Sequence, residues 1–428
     1  MSDWSYRLVA GAGFFAIVLI AWLTGGRRSI NARTVVGSTT LAWGIAAIVF
    51  WLPGFGSVLK WLNDVIVATL AASQKGSVFL FGPLALAPGQ TLADSTPSIG
   101  FVFAMQALPA VVFFAALVTG LYYLNVMPAI VRFFARLFHR AMGLSGAEAL
   151  AGAANIFVGI ESSLTVRPFL AKMTRSELLT LLTCMMATVA STVMGIYVLA
   201  LQEVFPQVAG HLVSASLISI PCAVLISKLS LPEEETPTTL GTIPNRTPSQ
   251  ETNAPVNLIS ALMEGGAQGA KMAVGIATML ILFLGLESIA DLALAQLPEF
   301  GDAPLSVSRA LSWLTWPFVV LLGLRPEEWE LGAELLGVRF IETEVASYFR
   351  LAALQAQDVP PLSSRSVTTI TYALCGFVHI ASVGVFVGGL SALIPSRTKD
   401  LSALGLRSLW TAFLATLLTG CLAGIFAA

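Results

Sequence analysis

The sequence predicts an all-α polytopic membrane protein with about eight transmembrane helices and two re-entrant hairpins in an inverted repeat. Of its 428 residues, 56% are hydrophobic and only 11% are charged. Apolar runs as long as a membrane-spanning helix recur along the chain, and two polar segments stand between them. Soluble domains are about 25% charged, so much of this surface must face lipid. The composition excludes a soluble enzyme, a nucleic-acid-binding protein and a disordered scaffold.

The first three predicted spans and the charges between them indicate an orientation. These apolar runs are Tyr6–Gly25, Thr34–Gly54 and Gly100–Leu124. Arg27, Arg28 and Arg33 separate the first two runs, and the positive-inside rule puts that loop in the cytoplasm. The first run does not resemble a signal peptide, because its arginines follow the apolar core. The N-terminus is therefore predicted to lie outside.

A basic amphipathic segment, Asn125–Ala147, follows the third span. It alternates arginines with phenylalanines, among them Arg132, Phe133, Arg136 and Phe138. This pattern is typical of a helix that lies on the membrane surface. Its charge predicts the cytoplasmic side, in agreement with the first loop.

Five further runs complete the set of about eight: Leu178–Leu201, Leu212–Leu231, Lys271–Leu294, Val367–Ile394 and Gly405–Phe426. Arg397, Lys399 and Arg407 make the loop before the last span cytoplasmic, which predicts a C-terminus outside. Pro232–Pro255 is acidic at its start and then rich in Thr, Pro, Ser and Asn. It is predicted to be a flexible cytoplasmic linker between two halves.

Two segments are too polar to be simple transmembrane helices. They are Ala149–Met173, which contains Glu161, and Leu322–Leu354, which contains Glu344. Backbone that leaves the helical path at membrane depth is tolerated only where it is buried in protein or lines a wet cavity. Each segment is therefore predicted to form a re-entrant hairpin. An intramembrane carboxylate costs about 2.5–3.5 kcal/mol on insertion scales, so both acids are predicted to be functional.

A short pattern recurs in two of the predicted spans. Cys184–Ser191 and Cys375–Ser382 both read Cys, three residues, a polar side chain, Val or Ile, then Ala-Ser. Each copy follows one predicted hairpin, and the topology runs the two spans in opposite directions. Inverted repeats with broken helices are typical of secondary transporters, whose substrate and ion sites lie near the membrane midplane.

Two other classes of membrane protein fit the sequence less well. An intramembrane enzyme would need a catalytic constellation, and the chain has no H-E-x-x-H or G-x-S-x-G motif and only three histidines. A channel would need a filter-like glycine-rich loop or a ring-forming acidic cluster, and the sequence shows neither. We therefore expect a carrier and no enzymatic activity.

The hairpins and spans divide the chain into five predicted parts: scaffold spans and interfacial helices (1–148), the first hairpin with two spans (149–231), the polar linker (232–255), a scaffold span (256–300), and the second hairpin with two spans (301–428).

Several blocks in the right order resemble the concentrative nucleoside transporter family, over a region from Phe79 to the C-terminus. They include Phe103–Pro109, Ala153–Gly159, Val166–Phe169, Gly332–Gly337, Thr343–Val345 and Ala373–Phe377. The resemblance implies a homotrimer in the bacterial inner membrane that imports nucleosides with sodium or protons. The partners so implied are a nucleoside-like substrate and the lipid bilayer, without nucleic acid.

The resemblance also implies a sodium site between the first hairpin and the next span. The matching residues are Asn155 and Thr188, through side-chain oxygens, and Val158 and Val189, through backbone carbonyls. All-oxygen ligation suits a hard cation that must bind and leave. The alternative for Asn155 and Thr188 is helix-packing hydrogen bonding.

At the base end of the implied nucleoside site, this chain departs from the family pattern. Many members carry Gln, Thr and Glu at the first hairpin tip, whereas this chain is one residue shorter and has Ile160 and Glu161. A base carbonyl that had paired with Gln would lose a partner, which costs about 1–3 kcal/mol. Val193 matches an apolar position that packs on the base, although core packing explains it equally well. The alternative substrate is a non-nucleoside polar solute carried with a cation.

At the sugar end, Glu344 matches an acid that receives sugar hydroxyls, and Phe377 and Ser382 match ribose-facing positions. His379 stands where the family usually has Asn. A neutral imidazole donates and accepts much as an amide does, and it titrates near neutral pH. We therefore expect pH-sensitive uptake through His379, the alternative being a histidine that is hydrogen-bonded within the helix bundle.

Overall fold

The computed structural model describes residues 3–27, 31–87, 89–92, 95–243, 255–297 and 304–427, without the side chains of Ile160, Glu161 and Leu164. Over those residues the chain is helical and contains a single β-bridge, between Thr91 and Pro97. The predicted all-α class is therefore confirmed. Candidate residues Ile160 and Glu161 lie outside the described side chains.

The N-terminal third contains six helices: α1 (Asp3–Thr24), α2 (Ala32–Trp51), α3 (Phe55–Phe81), α4 (Phe103–Gln106), α5 (Leu108–Tyr123) and α6 (Val126–Met142). Helix α6 buries Met127, Val131 and Phe138 along one side, while Arg132 and Arg136 are not buried. It is the amphipathic helix that the sequence predicts.

The first repeat follows with α7 (Gly146–Asn155), α8 (Arg167–Leu170), α9 (Arg175–Met186), α10 (Ser191–Leu201) and α11 (Val208–Ser230), and a 3₁₀ helix spans Ile160–Val166. Two capping boxes start α7 and α9. The hydroxyl of Ser145 accepts from the backbone N–H of Glu148, and Thr174 does the same for Glu177. Because each acid also accepts from its cap residue, the first turn of each helix is doubly satisfied.

The helix α12 (Leu258–Leu294) follows, and the second repeat contains α13 (Val307–Leu321), α14 (Trp329–Gln355), α15 (Ser364–Leu374), α16 (Ile380–Leu393) and α17 (Thr398–Phe426). Side chains of Asn257, Ser306 and Ser363 cap the first turns of α12, α13 and α15. At 37 residues, α12 is the longest helix of the described chain. At a rise of about 1.5 Å per residue, it exceeds the thickness of a bilayer core of about 30 Å.

Eight helices of the described chain are long and apolar enough to cross a membrane, the number that the sequence predicts. The set differs by one member, since it includes Phe55–Ala85 and omits residues 364–393, where the helix is broken. Helix α3 starts beside the N-terminal end of α11, where Asn63 accepts from Ala209. It ends beside the start of α5, where Gln106 donates to Leu86. In the predicted topology both places lie outside, so we infer that α3 lies along the outer surface.

The predicted cytoplasmic loops lie beside one another. Arg33 donates to the backbone carbonyl of Arg140 over 3.3 Å. Arg407 hydrogen-bonds Ser230, and a Cβ on Gly25 would lie only 2.5 Å from the carbonyl oxygen of Leu229. The arginine-containing segments therefore gather at one end of the helix bundle, as the positive-inside rule requires.

Part of the predicted linker is packed against the first repeat. Backbone N–H groups at Gly146 and Ala147, in the first turn of α7, donate to the carbonyl and hydroxyl oxygens of Thr239, each over 3.0 Å. Glu233 accepts from Thr174 over 2.8 Å. Residues 232–243 of the predicted linker are therefore packed against the first repeat, and residues 244–254 lie outside the described chain.

Candidate substrate and ion site

The two spans that carry the repeated sequence pattern are both interrupted at that pattern. Helix α9 ends at Met186 and α10 begins at Ser191, while α15 ends at Leu374 and α16 begins at Ile380. The two breaks touch, because a Cβ on Gly376 would lie only 2.8 Å from the carbonyl oxygen of Met186. Where the two broken helices cross, backbone N–H and C=O groups are not used in helical hydrogen bonds and can bind ligands inside the bundle.

The chain reverses direction within α14, where Thr343 has left-handed backbone angles (φ 76°, ψ 165°). Ser347 donates to the carbonyl oxygen of Leu335 over 2.8 Å, and Arg350 contacts Glu334 over 3.1 Å. In a straight helix, residues twelve apart would be about 18 Å from each other. The helix therefore folds back at Thr343 as a hairpin, at the position that the sequence predicts.

A buried arginine joins this hairpin to the second broken span. Arg339 is fully buried, and its guanidinium donates to the carbonyl oxygen of Ala373 and, over 3.0 Å, to the hydroxyl of Thr416. The ring of Phe413 lies 5.3 Å from the guanidinium carbon. Because Ala373 is in the last turn of α15, this cation also compensates the negative end of that half-helix.

The first hairpin segment folds onto the break between α9 and α10. Ser162 donates to the side-chain oxygen of Asn155 over 2.9 Å, which joins the two arms of the hairpin. The backbone N–H of Ser191 donates to the carbonyl oxygen of Phe157 over 3.0 Å. The segment that carries Asn155 and Val158 is therefore held against the break that carries Thr188 and Val189.

Three of the four predicted ion ligands keep oxygen lone pairs that no short hydrogen bond from the described residues occupies. The hydroxyl of Thr188 donates its proton to Cys184 over 2.9 Å, so both of its lone pairs remain available. Asn155 is fully buried, and its side-chain oxygen accepts one hydrogen bond, from Ser162. The carbonyl oxygen of Val189 accepts only a long contact of 3.5 Å from Ser216. These neutral oxygens fit a hard monovalent cation.

A cavity of about 350 Å³ opens where the hairpins and the broken helices meet. Five of the seven predicted substrate residues line it: Val193, Glu344, Phe377, His379 and Ser382. Gly159, which precedes Ile160 and Glu161, lines it as well. The structure thus brings together residues from both repeats that lie far apart in the sequence.

Glu344 is the buried acid of this cavity, and 2% of its side chain is exposed. Its Oε1 accepts a hydrogen bond from Tyr197 over 2.7 Å. Its Oε2 has no hydrogen-bond partner among the described residues and lies 3.5 Å from Nε2 of His379. A buried carboxylate oxygen without a donor is energetically costly, so a donor supplied by a ligand would be favourable here.

His379 has a structural role besides lining the cavity. Its Nδ1 accepts from the backbone N–H of Ser382 over 3.1 Å and caps the first turn of α16. The hydroxyl of Ser382 in turn donates to the carbonyl oxygen of His379 over 2.6 Å. One ring nitrogen of His379 therefore caps a helix, as the hydrogen-bonded alternative expects, and the other points towards Glu344. Uptake that is pH-sensitive through His379 stays a prediction.

The sequence pattern did not identify the wall that α12 contributes to the cavity. That wall consists of Gln268, Lys271, Met272, Gly275, Ile276, Met279 and Leu280. The available signal was Lys271, a charge at the start of a long apolar run, because intramembrane charges are rare and functional by default. Hydropathy alone does not tell which face of such a helix lines a cavity.

Comparison with known proteins agrees with this architecture. Family models described as the C-terminus and N-terminus of Na⁺-dependent nucleoside transporters match residues 211–424 and 12–84, and one described as nucleoside recognition matches 104–203. A nucleoside permease of Helicobacter pylori is 30% identical over 98% of this chain and 97% of its own length. The rat sodium/nucleoside cotransporter 2 is 31% identical over 98% of this chain, which spans 62% of that relative.

Solved structures of one transporter, CNTnw, cover the same fold. Its inward-facing substrate-bound state matches with a TM-score of 0.87 and 30% identity over 100% of both chains. A variant of it in an outward-facing state matches with a TM-score of 0.86 and 30% identity, over 98% of this chain and 97% of that one. On the extent of these similarities, the chain belongs to the concentrative, Na⁺-dependent nucleoside transporter family.

Proposed function

We propose that this protein is a symporter of the bacterial inner membrane that imports a nucleoside with sodium by alternating access. The observation that carries the proposal is the cavity at the crossing of the two broken helices, with the buried acid Glu344 on its wall. The matches to Na⁺-dependent nucleoside transporters support both the substrate class and the ion.

In this proposal the sugar binds beside Glu344. A carboxylate only accepts hydrogen bonds, and sugar hydroxyls would supply the donor that Oε2 lacks. Phe377, His379 and Ser382 surround the sugar, and Val193 packs on the base. Ile160 and Glu161 complete the base end, on the strength of the family resemblance in sequence.

Sodium is a co-substrate held by Asn155, Thr188 and the carbonyl oxygens of Val158 and Val189. These groups bridge the first hairpin and the break between α9 and α10, so a bound cation would draw the two segments together. Coupling follows if sodium binds more tightly to the conformation that also binds the nucleoside. A proton gradient is the alternative energy source.

Transport then requires the part that carries both hairpins, 149–231 and 301–428, to move against scaffold helices from 1–148 and 256–300. Helices α5 and α12 suit the scaffold, because a Cβ on Gly269 of α12 would lie 2.7 Å from the Cα of Val112. We further propose a homotrimer with both chain termini outside. Native mass spectrometry in detergent tests the trimer.

The experiment is uptake by purified protein in proteoliposomes, with a panel of labelled nucleosides and with sodium and pH gradients imposed separately. We expect saturable uptake that follows the sodium gradient and recovery of unaltered nucleoside, which separates a carrier from a channel or an enzyme. Glu344→Gln should abolish uptake, whereas Glu330→Gln, outside this cavity, should not. Absence of saturable nucleoside uptake by the folded protein would refute the proposal.

A second candidate is a cation-coupled carrier for a non-nucleoside polar solute. It is favoured by Ile160, which stands where many family members have a glutamine that meets the base. Thermal-shift screening of nucleosides beside other glycosides distinguishes the two candidates. Stabilisation by glycosides without a nucleobase, and not by nucleosides, would favour the second.

A further inference from the structure

The cavity wall contributed by α12 carries a polar stripe. Glu264, Gln268, Lys271 and Gly275 follow one another at spacings of four, three and four residues, which places them on one face of the helix. The last three line the cavity. The rest of this wall is apolar, with Met272, Ile276, Met279 and Leu280. The stripe therefore exposes two hydrogen-bonding side chains, Gln268 and Lys271, to whatever occupies the cavity.

Lys271 is a cation at membrane depth without a partner among the residues that the structure describes. It lies roughly 20 Å along the helix axis from Leu258, at 1.5 Å per residue. Its side chain is exposed to the cavity and makes no ion pair or hydrogen bond with the described residues. Intramembrane charges are costly and normally pair with protein groups, water or ligands. The ammonium of Lys271 is therefore available to a ligand.

The chemistry of the cavity indicates which part of a nucleoside would meet this lysine. Around Glu344 the wall is polar, because His379 and Ser382 stand beside it. Ala190 and Val193, from the first broken span, line the cavity with apolar side chains, and Ile160 stands in the sequence where many family members have an amide. The other polar side chains that line the cavity are Thr343, Glu344, His379 and Ser382. A polar base edge that lies away from them has only Gln268 and Lys271 as side-chain partners among the described cavity residues. Gln268 both donates and accepts, whereas Lys271 only donates.

We propose that Lys271 donates to a carbonyl oxygen of the base and makes the transporter select bases with an oxo group over bases with an amino group at the same position. The substrate class is then oxo-bearing nucleosides, such as uridine and inosine, in preference to cytidine and adenosine. An amino group presents donors to a donor, which leaves the ammonium unpaired. This inference rests on the proposed function and deepens it.

The test compares two matched pairs, uridine with cytidine and inosine with adenosine. In each pair an oxo group is exchanged for an amino group, and the adjacent ring N–H becomes an unprotonated ring nitrogen. Proteoliposome uptake gives kcat/KM for each nucleoside in the wild type and in three variants. Lys271→Met removes the charge at similar length, and Lys271→Arg keeps it. Lys75→Met removes an exposed lysine on α3 that does not line this cavity.

We expect the wild type, Lys271→Arg and Lys75→Met to favour the oxo member of each pair about tenfold, the effect of one hydrogen bond. We expect Lys271→Met to bring both ratios close to one. A wild type without this preference, or an unchanged ratio in Lys271→Met, would overturn the inference while leaving nucleoside transport intact. A lysine that instead recognises phosphate would make uridine 5′-phosphate the better wild-type substrate, which also overturns it. If no nucleoside is taken up at all, the proposed function itself fails.

Discussion

Tyr197, in the first broken span, donates a hydrogen bond from its hydroxyl to Oε1 of Glu344, in the second hairpin, over 2.7 Å. Both side chains are buried, so this bond connects the two repeats inside the bundle. It also leaves Oε2 as the carboxylate oxygen without a hydrogen-bond donor among the described residues. We infer that Tyr197 positions Glu344 for the substrate.

Tyr197→Phe should therefore raise the KM for nucleoside uptake about tenfold and destabilise the protein by about 1–3 kcal/mol, the cost of an unpaired buried group. Tyr348→Phe is a matched control, because its hydroxyl donates to Thr371 over 2.9 Å and its ring lies 4.8 Å from that of Tyr197. Uptake kinetics and thermal unfolding distinguish the two. Equal KM values in both variants would mean that the bond to Glu344 has only a structural role.

At the ion site, Thr188→Val should weaken sodium dependence. The substitution removes the hydroxyl oxygen proposed to bind the ion, while the shape of the side chain is nearly kept. We expect the sodium concentration for half-maximal uptake to rise tenfold or more. Thr183→Val is the control, since that hydroxyl lies in α9, before the break, and bonds Thr411 over 2.7 Å. Unaltered sodium dependence in Thr188→Val would exclude this residue as a ligand.

The contact between the two breaks predicts an intolerant glycine. In Gly376→Ala the new Cβ would meet the carbonyl oxygen of Met186 and the methyl group of Thr416, each at 2.8 Å. Overpacking of this kind costs about 1–3 kcal/mol, and separation of the breaks should reduce uptake. Gly388→Ala, in α16, has open space for the methyl group and should be silent. Thermal unfolding and uptake measure both variants, and equal behaviour would show that the breaks can move apart freely.

Uptake should fall towards acid pH because of His379. Its Nδ1 must be unprotonated to accept from the N–H of Ser382. The charged groups that act on the ring are Glu344, whose Oε2 lies 3.5 Å from Nε2, and the buried cation Arg339. A proton on Nδ1 replaces that acceptor with a second donor and uncaps α16. The profile should be measured from about pH 4 to 8, across and below the usual imidazole range. His379→Asn should be flat over this range, and a flat wild-type profile would contradict the prediction.

The membrane-spanning helices and the two polar segments between them can be predicted directly from the hydropathy of the sequence. Runs such as Leu212–Leu231 are long enough to span a bilayer, and the acids Glu161 and Glu344 mark the two segments that cannot simply do so. The repeated Cys-to-Ser pattern coincides with the breaks at 187–190 and 375–379. A local sequence pattern is enough to predict these features, because each segment in lipid must satisfy its own backbone hydrogen bonds.

Other features depend on neighbours and are not recorded in a local pattern. Helix α3 is long and apolar enough to cross, and only its contacts at Asn63 and Gln106 place both of its ends beside the starts of other helices. Likewise, the helical face of Lys271 becomes a cavity wall only when the two hairpins are packed against it. His379 can cap α16 only because the helix is broken before it. The sequence indicates that break only through the repeated Cys-to-Ser pattern.

Helix α12 differs sharply between its two sides. On one side Gly265 and Gly269 bring its backbone against α5 so closely that added Cβ atoms would lie 2.5 Å from Thr119 and 2.7 Å from Val112. On the cavity side it presents Met272 and Met279, which are unbranched and adapt to changing neighbours. Two backbones packed this closely resist sliding past each other, whereas methionine side chains can change their conformation when a neighbouring segment moves. Helices α5 and α12 are thus fixed to each other on the glycine side, while the methionine side of α12 can stay in contact with a neighbour that moves.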